Sequence, residues 1–248
     1  MEETKPTALV TGATSGIGKA FTERLLAAGW CVYGIGRDFS ACSFSGDFHP
    51  VPAELSKPTE LPGLPVLSDL RHSLDLLVNN AGTARYGPHE ELSPSAVSEM
   101  VSVNLTAPMI LSGMFLRTLK EHSGTILNVS SVTAEGPAVH GAAYGATKAG
   151  LSAFSRSLFE EYRKSGVRVI NIQPDLTDTA LYRNADFTPG TMESERLTAG
   201  EVADLMLEAV NARAGLVISE LTVRPQKNRI LRKKKKADEK NSPGTVSG

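Results

Sequence analysis

Short runs of apolar and β-branched residues alternate along the chain with longer segments in which apolar residues recur every three or four positions. The short runs are typical of strands, and several are apolar throughout, as expected for strands buried on both faces of a sheet. This alternation predicts an α/β fold whose parallel sheet is built from βαβ units. The predicted strands are residues 8–10, 32–35, 51–53, 74–78, 125–129, 167–172 and 217–223.

The longer segments carry the pattern of amphipathic helices. Residues 17–28 place apolar side chains on one face, and Gly29 follows as a residue that ends helices. A Ser-Pro pair at 93–94 predicts the start of a second helix, and residues 143–164 predict a third, long one. Residues 38–69 are rich in Pro, Ser and Gly and have no pattern for a long helix. This crossover is therefore predicted to be abbreviated.

The chain has 248 residues, a length that suits one large domain or two small ones. Its two cysteines and five histidines show neither disulfide nor ligand spacing, so no metal site is expected. No apolar run approaches the ~20 residues that span a membrane, and the first ten residues lack the pattern of a signal peptide. We therefore expect a cytoplasmic protein without a membrane span.

The formal net charge of −1 is distributed unevenly along the chain. Residues 1–220 hold 17 basic and 25 acidic residues, whereas residues 221–248 hold nine basic and two acidic ones. Residues 226–248 are predicted to form a disordered polar tail, because they contain too few apolar side chains to pack. The basic run 232–236 could attract nucleic acid or anionic lipid, but no aromatic side chain lies near it to stack on bases. A solvated tail is therefore expected, with no nucleic-acid partner.

The first predicted strand runs into the sequence Thr-Gly-Ala-Thr-Ser-Gly-Ile-Gly at positions 11–18, and a predicted helix follows. Glycines in such a turn let backbone N–H groups approach a pyrophosphate, which the positive end of the helix dipole favours. A phosphate-binding P-loop is excluded, because Ala13 and Ala20 stand where that motif requires glycine and Ser or Thr. An ordinary glycine-rich turn is the alternative, and the strand before and helix after it favour dinucleotide binding.

Tyr144 and Lys148 lie four residues apart at the start of the third helix, so both side chains share one helical face. A nearby ammonium stabilises a phenolate, so the pair predicts a tyrosine with a lowered pKa that exchanges protons near neutral pH. Taken alone, this spacing is more often a solvated surface pair.

Further polar residues follow predicted strands. Asn-Asn-Ala-Gly at 79–82 follows the fourth strand, Ser131 follows the fifth, and Asn104 lies within the second helix. Open parallel sheets bind ligands beyond the carboxyl ends of their strands, which is where these motifs fall, apart from Asn104. Each residue alone is typical of a turn or of a backbone-bonding polar group. Their combination predicts one site.

Together these motifs resemble the short-chain dehydrogenase/reductase family, and the resemblance spans about residues 5–225. It implies a single-domain, Rossmann-type, doubly wound sheet of about seven strands that supports hydride transfer between nicotinamide and a carbonyl or alcohol. Tyr144 would be the general acid/base, and Lys148 would bind the nicotinamide ribose and lower the Tyr144 pKa. Ser131 would hydrogen-bond the substrate oxygen, and Asn104 would position a water that leads protons to Lys148.

The resemblance also implies a set of cofactor-binding residues, which includes the catalytic pair. They are Gly12, Thr14, Ser15, Gly16, Ile17, Gly18, Arg37, Glu54, Asn80, Ala81, Gly82, Tyr144, Lys148, Pro174 and Thr179. Two positions depart from the family pattern, because Asp175 stands where glycine is usual and Glu54 replaces an aspartate. Aspartate tolerates unusual backbone angles, so the turn at Asp175 is expected to survive.

Charge at the end of the second strand predicts the form of the cofactor. NAD-dependent members usually carry an acidic residue there to accept the ribose 2′-hydroxyl, whereas this chain has Gly36 followed by Arg37. Arginine can bind a 2′-phosphate through two hydrogen bonds, assisted by Thr14 or Ser15, so NADP(H) is favoured. NAD remains possible if the Asp38 side chain turns inward.

The expected function is that of an NADP(H)-dependent short-chain reductase, which acts on a small or medium ketone, aldehyde or the matching secondary alcohol. Residues 1–225 would form the catalytic domain, with a substrate lid at about 180–200. The alternatives are an NAD-dependent alcohol dehydrogenase of the same fold and a non-catalytic dinucleotide sensor or scaffold. By resemblance, the chain would assemble as a homodimer or homotetramer through helices at 94–121 and 143–164.

Overall fold

A parallel sheet of seven strands lies at the centre of the computed structural model, which describes residues 5–233. The strand order is β3-β2-β1-β4-β5-β6-β8, and all neighbouring strands are parallel. Two short strands, β7 and β9, pair antiparallel beside this sheet. The strands are β1 (Thr7–Thr11), β2 (Cys31–Gly36), β3 (Phe48–Pro52), β4 (Leu76–Asn79), β5 (Thr125–Val129), β6 (Arg168–Pro174), β7 (Phe187–Pro189), β8 (Glu220–Val223) and β9 (Ile230–Arg232).

Helices cover both faces of the sheet. They are α1 (Gly16–Ala27), α2 (Pro65–Asp69), α3 (Pro94–Val101), α4 (Ala107–Glu121), α5 (Ala142–Tyr162) and α6 (Ala199–Val210). One face is covered by α1 and α6, where Phe21, Leu25 and Met206 are fully buried. The other face is covered by α4 and α5, where Phe115 and Leu158 pack on the strands. This doubly wound arrangement confirms the predicted fold class.

The predicted signals at helix ends act as expected. The Ser93 hydroxyl accepts a hydrogen bond from the Ala96 amide at 3.2 Å and thereby caps the start of α3. After α1 the chain turns at Gly29 with a φ of 85°, a left-handed angle that glycine adopts without steric cost. Residues 38–69 lack a long helix, as predicted. They contain β3, one 3₁₀ segment at Pro58–Gly63 and the five-residue α2.

Helices α3 and α4 are joined by a π-helical turn at Ser102–Thr106 into one continuous helix. This helix is long and apolar enough to cross a membrane, with a mean hydropathy of 1.3 in its most apolar window. However, 44% of that window is buried in the protein, and Leu111, Phe115 and Leu119 are fully buried in the core. The hydropathy is therefore accounted for by packing in the core.

The C-terminal region differs from the expectation of a polar tail that begins at residue 226. Ile230–Arg232 forms β9 and pairs with β7, which lies in the predicted lid segment. The prediction failed here because it counted apolar residues, whereas this strand is held by backbone hydrogen bonds and ion pairs. The remaining predicted tail, residues 234–248, lies outside the described part of the chain.

Candidate active site

The order of strands reverses between β1 and β4, and such a reversal opens a crevice at the carboxyl ends of a parallel sheet. A single cavity occupies this crevice. Most of the predicted site residues line it: Gly12, Thr14, Ser15, Gly16, Ile17, Arg37, Glu54, Asn80, Ala81, Gly82, Ser131, Tyr144, Lys148, Pro174 and Thr179. Gly18 and Asn104 do not line the cavity, and both are buried next to residues that do.

The glycine-rich turn follows β1 and passes very close to the end of β4. A Cβ atom on Gly12 would lie 2.9 Å from the Cα of Ala81. A Cβ atom on Gly18 would collide with the Asn80 amide nitrogen and the Gly12 carbonyl. The turn therefore needs glycine at both positions because two backbone segments meet there.

The N-terminus of α1 lies at the cavity, which Ser15, Gly16 and Ile17 line. The side chain of Ser15, the residue before the helix, does not cap these amides, and no acidic residue lies in the first turn. A Cβ atom on Gly16 would lie 3.2 Å from the Thr179 methyl group, so the two residues enclose a narrow space. Uncapped amides beside a space without side chains suit a pyrophosphate group.

The part of the cavity at the end of β2 is lined by Gly36, Arg37 and Glu54. A Cβ atom on Gly36 would lie 2.5 Å from the Thr14 methyl group, so no acidic side chain fits at this position without a shift. The Asp38 carboxylate does not line the cavity, since its two oxygens accept hydrogen bonds from the Ser40 amide and hydroxyl. Arg37, and not Asp38, therefore faces the cavity.

Tyr144 and Lys148 lie one turn apart in the first half of α5, and both are 3% exposed. The Lys148 ammonium donates to the Val129 carbonyl at 2.7 Å and lies 5.9 Å from the Tyr144 ring centroid. Burial lowers the pKa of Lys148 to about 8. At neutral pH the group is therefore still an ammonium.

The pKa of Tyr144 is raised by burial and lowered by a hydrogen bond with Ser131, and burial dominates. This direction is opposite to the expected lowering by Lys148, because loss of hydration disfavours the phenolate more than the surroundings stabilise it. Tyr144 is therefore a neutral phenol at pH 7, a state that can donate a proton.

Asn104 lies in the π-helical turn between α3 and α4 and is fully buried. Its amide oxygen accepts from the Thr83 amide at 2.8 Å, and its nitrogen donates to the Thr83 carbonyl and the Thr147 hydroxyl at 2.9 and 3.0 Å. Both donor hydrogens are therefore used, and one lone pair of the oxygen remains available to accept a hydrogen bond. Asn104 thus forms hydrogen bonds both with Thr83, in the segment after β4, and with Thr147, in α5.

Asp175 lies at the cavity wall where β6 ends, and its side chain is buried. One carboxylate oxygen accepts from the Leu176 amide at 2.8 Å, and the other lies 3.5 Å from Arg224. Within residues 5–233, Ser123 and His140 are the only non-glycine residues with positive φ. The turn at Asp175 therefore does not use the unusual backbone angle that was expected to be tolerated there.

The cavity also includes residues that the sequence motifs did not indicate. Arg85 and Glu99 line it and form an ion pair at 3.2 Å. Leu181 and Tyr182, from the predicted lid, line the side next to Tyr144. Spacing gave no signal for the pair, because Arg85 and Glu99 belong to different elements and meet only in the folded chain.

Cys31, Asp47 and His49 also meet in the fold, with ligand atoms within 4.8 Å of one another. This cluster lies at the starts of β2 and β3, away from the carboxyl ends that form the cavity. The Asp47 carboxylate pairs with Lys5 at 3.1 Å and with His49 at 2.9 Å. These contacts already satisfy the carboxylate within the protein.

Known proteins match this chain over the same elements. A family model described as short chain dehydrogenase matches residues 6–188. Serine 3-dehydrogenase of Rhizobium radiobacter is 36% identical over 183 residues, 70% of this chain and 72% of that protein. An uncharacterised oxidoreductase of Staphylococcus epidermidis is 30% identical over 226 residues, 88% of this chain and 96% of that protein. A solved short-chain dehydrogenase from Sphingobium yanoikuyae, in complex with NADPH, has a TM-score of 0.74 at 27% identity, covering 89% of this chain and 87% of that one.

Proposed function

Because this chain belongs to the short-chain dehydrogenase family, we propose that it is an NADP(H)-dependent oxidoreductase of carbonyl compounds or the matching secondary alcohols. The observation that carries the proposal is the continuity of the cavity. Arg37 lines one end of it, and Tyr144, Lys148 and Ser131 line the other. When bound, the nicotinamide ring supplies or accepts the hydride.

The residues present suit the dinucleotide along the whole cavity. The uncapped amides of α1 suit the pyrophosphate, and Arg37 suits a ribose 2′-phosphate through its fork of N–H donors. The buried Lys148 ammonium supplies donors for ribose hydroxyls, and Pro174 and Thr179 also line the cavity, with Thr179 beside Gly16. The related NADPH complex from Sphingobium yanoikuyae supports this choice. Glu54, which lines the cavity at the end of β2 as Arg37 does, would contact the adenine.

Proton transfer belongs to Tyr144 in this proposal. The phenol is neutral at pH 7 and lines the cavity together with Ser131, so it donates its proton to a carbonyl oxygen as negative charge develops there. Reduction is therefore the direction favoured near neutral pH, whereas oxidation needs the phenolate and gains from alkaline pH. The free lone pair of Asn104 accepts from a water that connects Lys148 to solvent.

The test is turnover of a carbonyl panel with NADPH and with NADH, comparing the parent protein with Tyr144→Phe. We expect oxidation of NADPH by the parent and a loss of kcat of about 100-fold or more in the variant, because general acid catalysis contributes that much. The affinity for NADPH should be unchanged. Tyr162→Phe is the matched control, since Tyr162 ends the same helix outside the cavity.

Two results would favour the alternative functions. A clear preference for NADH would indicate an NAD-dependent dehydrogenase of the same fold. Tight NADPH binding without turnover of any carbonyl compound or alcohol would indicate a dinucleotide sensor or scaffold. Undiminished activity of Tyr144→Phe would contradict the proposed mechanism.

The proposal extends to a cytoplasmic homodimer or homotetramer that forms through the continuous helix of α3 and α4 and through α5. In the continuous helix that ends with α4, Val101 and Met109 are 41% and 40% exposed, respectively, and thus present apolar surface to a second copy. Light scattering of the purified chain measures the assembly directly. A monomer at micromolar concentration would contradict this part.

A further inference from the structure

Residues 227–233, which we call the C-terminal strap, lie along the segment 182–195 beside the cavity. The Lys227 amide donates to the Ser194 carbonyl, and the Lys233 amide donates to the Asp186 carbonyl, both at 2.7 Å. Between these points β9 pairs with β7, with Leu231 opposite Thr188. The strap is therefore hydrogen-bonded along most of residues 182–195, which lie within the predicted lid and which we call the lid segment.

The strap also carries cations that meet polar groups of the lid. Arg229 contacts Glu195 at 3.0 Å, and Arg232 contacts Asp186 at 2.6 Å. The Lys233 ammonium donates to the Tyr182 carbonyl at 3.0 Å, at the end of a short helical turn. Cations are favoured at such carbonyl ends.

The pair between Arg229 and Glu195 differs from an ordinary surface ion pair. The Glu195 side chain is only 3% exposed, and a Cβ atom on Gly190 would collide with its carboxylate. The Gly190 amide donates to the Arg229 carbonyl at 2.9 Å, so backbone and side-chain contacts coincide at this point. A buried carboxylate that loses its cation pays a desolvation penalty, so this contact holds the strap in place.

The opposite side of the lid segment reaches the catalytic tyrosine through aromatic contacts. Tyr182 lines the cavity, and its ring lies 5.5 Å from the Phe187 ring, which belongs to β7. Tyr86 lies 5.2 Å from Phe187 and 5.8 Å from Tyr144. The aromatic wall formed by Tyr86, Tyr182 and Phe187 therefore connects the strap to the site of proton transfer.

We propose that the C-terminal strap is a positioning element of the substrate site, which holds the aromatic wall beside Tyr144, and that this wall favours carbonyl compounds with a flat apolar substituent. The inference rests on the proposed function, since Tyr182 lines the same cavity and Tyr86 and Phe187 pack behind it. A three-residue strand and a short 3₁₀ turn have little stability of their own, so their position depends on what pairs with them. Aromatic faces bind flat apolar groups by offset stacking.

The first experiment measures hydrogen exchange of residues 181–190 in the full chain. We expect Arg229→Gln to speed exchange of these amides about tenfold, because a hydrogen bond to a buried charged group is lost. Lys227→Gln is the matched control, since it removes a strap charge that has no ion-pair partner among the described residues. Arg229→Lys should restore most of the protection. Equal exchange in Arg229→Gln and the control would overturn the inference.

The second experiment separates positioning from general stability. We expect Arg229→Gln to raise KM for benzaldehyde about fivefold to tenfold, with kcat and the affinity for NADPH within twofold, and to change KM for acetaldehyde much less. Arg232→Gln, which breaks an exposed pair, should act in the same direction with a smaller effect. Equal effects on both aldehydes would overturn the selection of flat substituents.

The two proposals fail in different ways. If the lid amides exchange faster but the parent turns over no carbonyl compound or alcohol of the panel, the proposed function fails and the positioning of the lid by the strap is supported. If both aldehydes are turned over and the strap variants match the Lys227→Gln control in exchange and in KM, the strap inference fails alone.

Discussion

Arg37 and Asp38 are adjacent residues of opposite charge that face different surroundings. Arg37 lines the cavity, whereas the Asp38 carboxylate is held by the Ser40 amide and hydroxyl. These hydrogen bonds lower the pKa of Asp38, which keeps it ionised and attached to its own loop. At this position the positive charge therefore reaches the space that a 2′-phosphate would need.

Replacing Arg37 tests the form of the cofactor. We expect Arg37→Gln to weaken NADPH binding about 10-fold to 100-fold, because a charge-assisted hydrogen bond is worth about 1.5–3 kcal/mol. NADH binding should change less than threefold. Fluorescence titration of both nucleotides measures the effect, with Arg213→Gln as a control for the loss of one exposed charge. A parallel loss for NADH would contradict the assignment of Arg37 to the 2′-phosphate.

At the element scale, the turn between β1 and α1 requires glycine at several positions, and the physical reason differs from one position to the next. Gly12 and Gly16 have φ values of 68° and 55°, so their backbone conformation favours glycine. Gly18 lies inside α1, where the helical conformation suits any residue, and the approach of Asn80 and the Gly12 carbonyl leaves no room for a side chain. Gly18 therefore sets how closely α1 packs against the end of β4.

This difference predicts that two glycine-to-alanine substitutions in helices change the free energy of unfolding in opposite directions. Gly18→Ala should lower the free energy of unfolding by about 1–3 kcal/mol, as overpacking does, and weaken NADPH binding. Gly113→Ala in α4 should raise the free energy of unfolding by about 0.5–1 kcal/mol. A Cβ atom on Gly113 would have no other atom within 4 Å, and alanine favours the helix more than glycine does. Urea unfolding measures both. A neutral effect of Gly18→Ala would show that the turn relaxes around a methyl group.

Across the whole molecule, the fold buries a lysine ammonium beneath the carboxyl ends of its strands. Lys148 is held by the Val129 carbonyl of β5 and enclosed between the sheet and α5. Its pKa is lowered to about 8 from an ordinary value near 10.5, so burial disfavours the charged form. Burial of the charged Lys148 therefore destabilises the folded chain.

This burial predicts a pH dependence of stability. Between about pH 8 and 10.5 the unfolded chain binds the Lys148 proton and the folded chain does not, so the stability of the parent rises with pH. Lys148→Met lacks this change and should be the more stable protein at pH 7, by up to about 3 kcal/mol. The advantage should narrow above pH 8. Urea unfolding of both proteins from pH 7 to 10 measures the difference, and a constant gap would contradict the buried ammonium.

The sequence by itself indicated the seven-stranded sheet, the helices that begin near residues 16, 94 and 142, and most of the predicted residues that line the cavity. Apolar runs and helix-end signals such as Ser93 and Gly29 act locally, so they could be interpreted without a structure. The motif residues around Tyr144 follow the ends of parallel strands, and that topology brings them together. The choice of Arg37 over Asp38 was open in the sequence, because a side-chain direction depends on a hydrogen-bond partner.

The tertiary structure alone decided the rest. Burial, which raises the pKa of Tyr144 against the expected lowering, is a property of the packed site and of no local motif. The ion pair of Arg85 with Glu99 and the contact of Arg229 with Glu195 join residues far apart in sequence. The strand at Ile230–Arg232 is held by pairing with β7, by the Arg232 contact with the exposed Asp186, and by the neighbouring Arg229 contact with the buried Glu195. Pairing between distant segments carries no periodic signal, so only the folded chain reveals it.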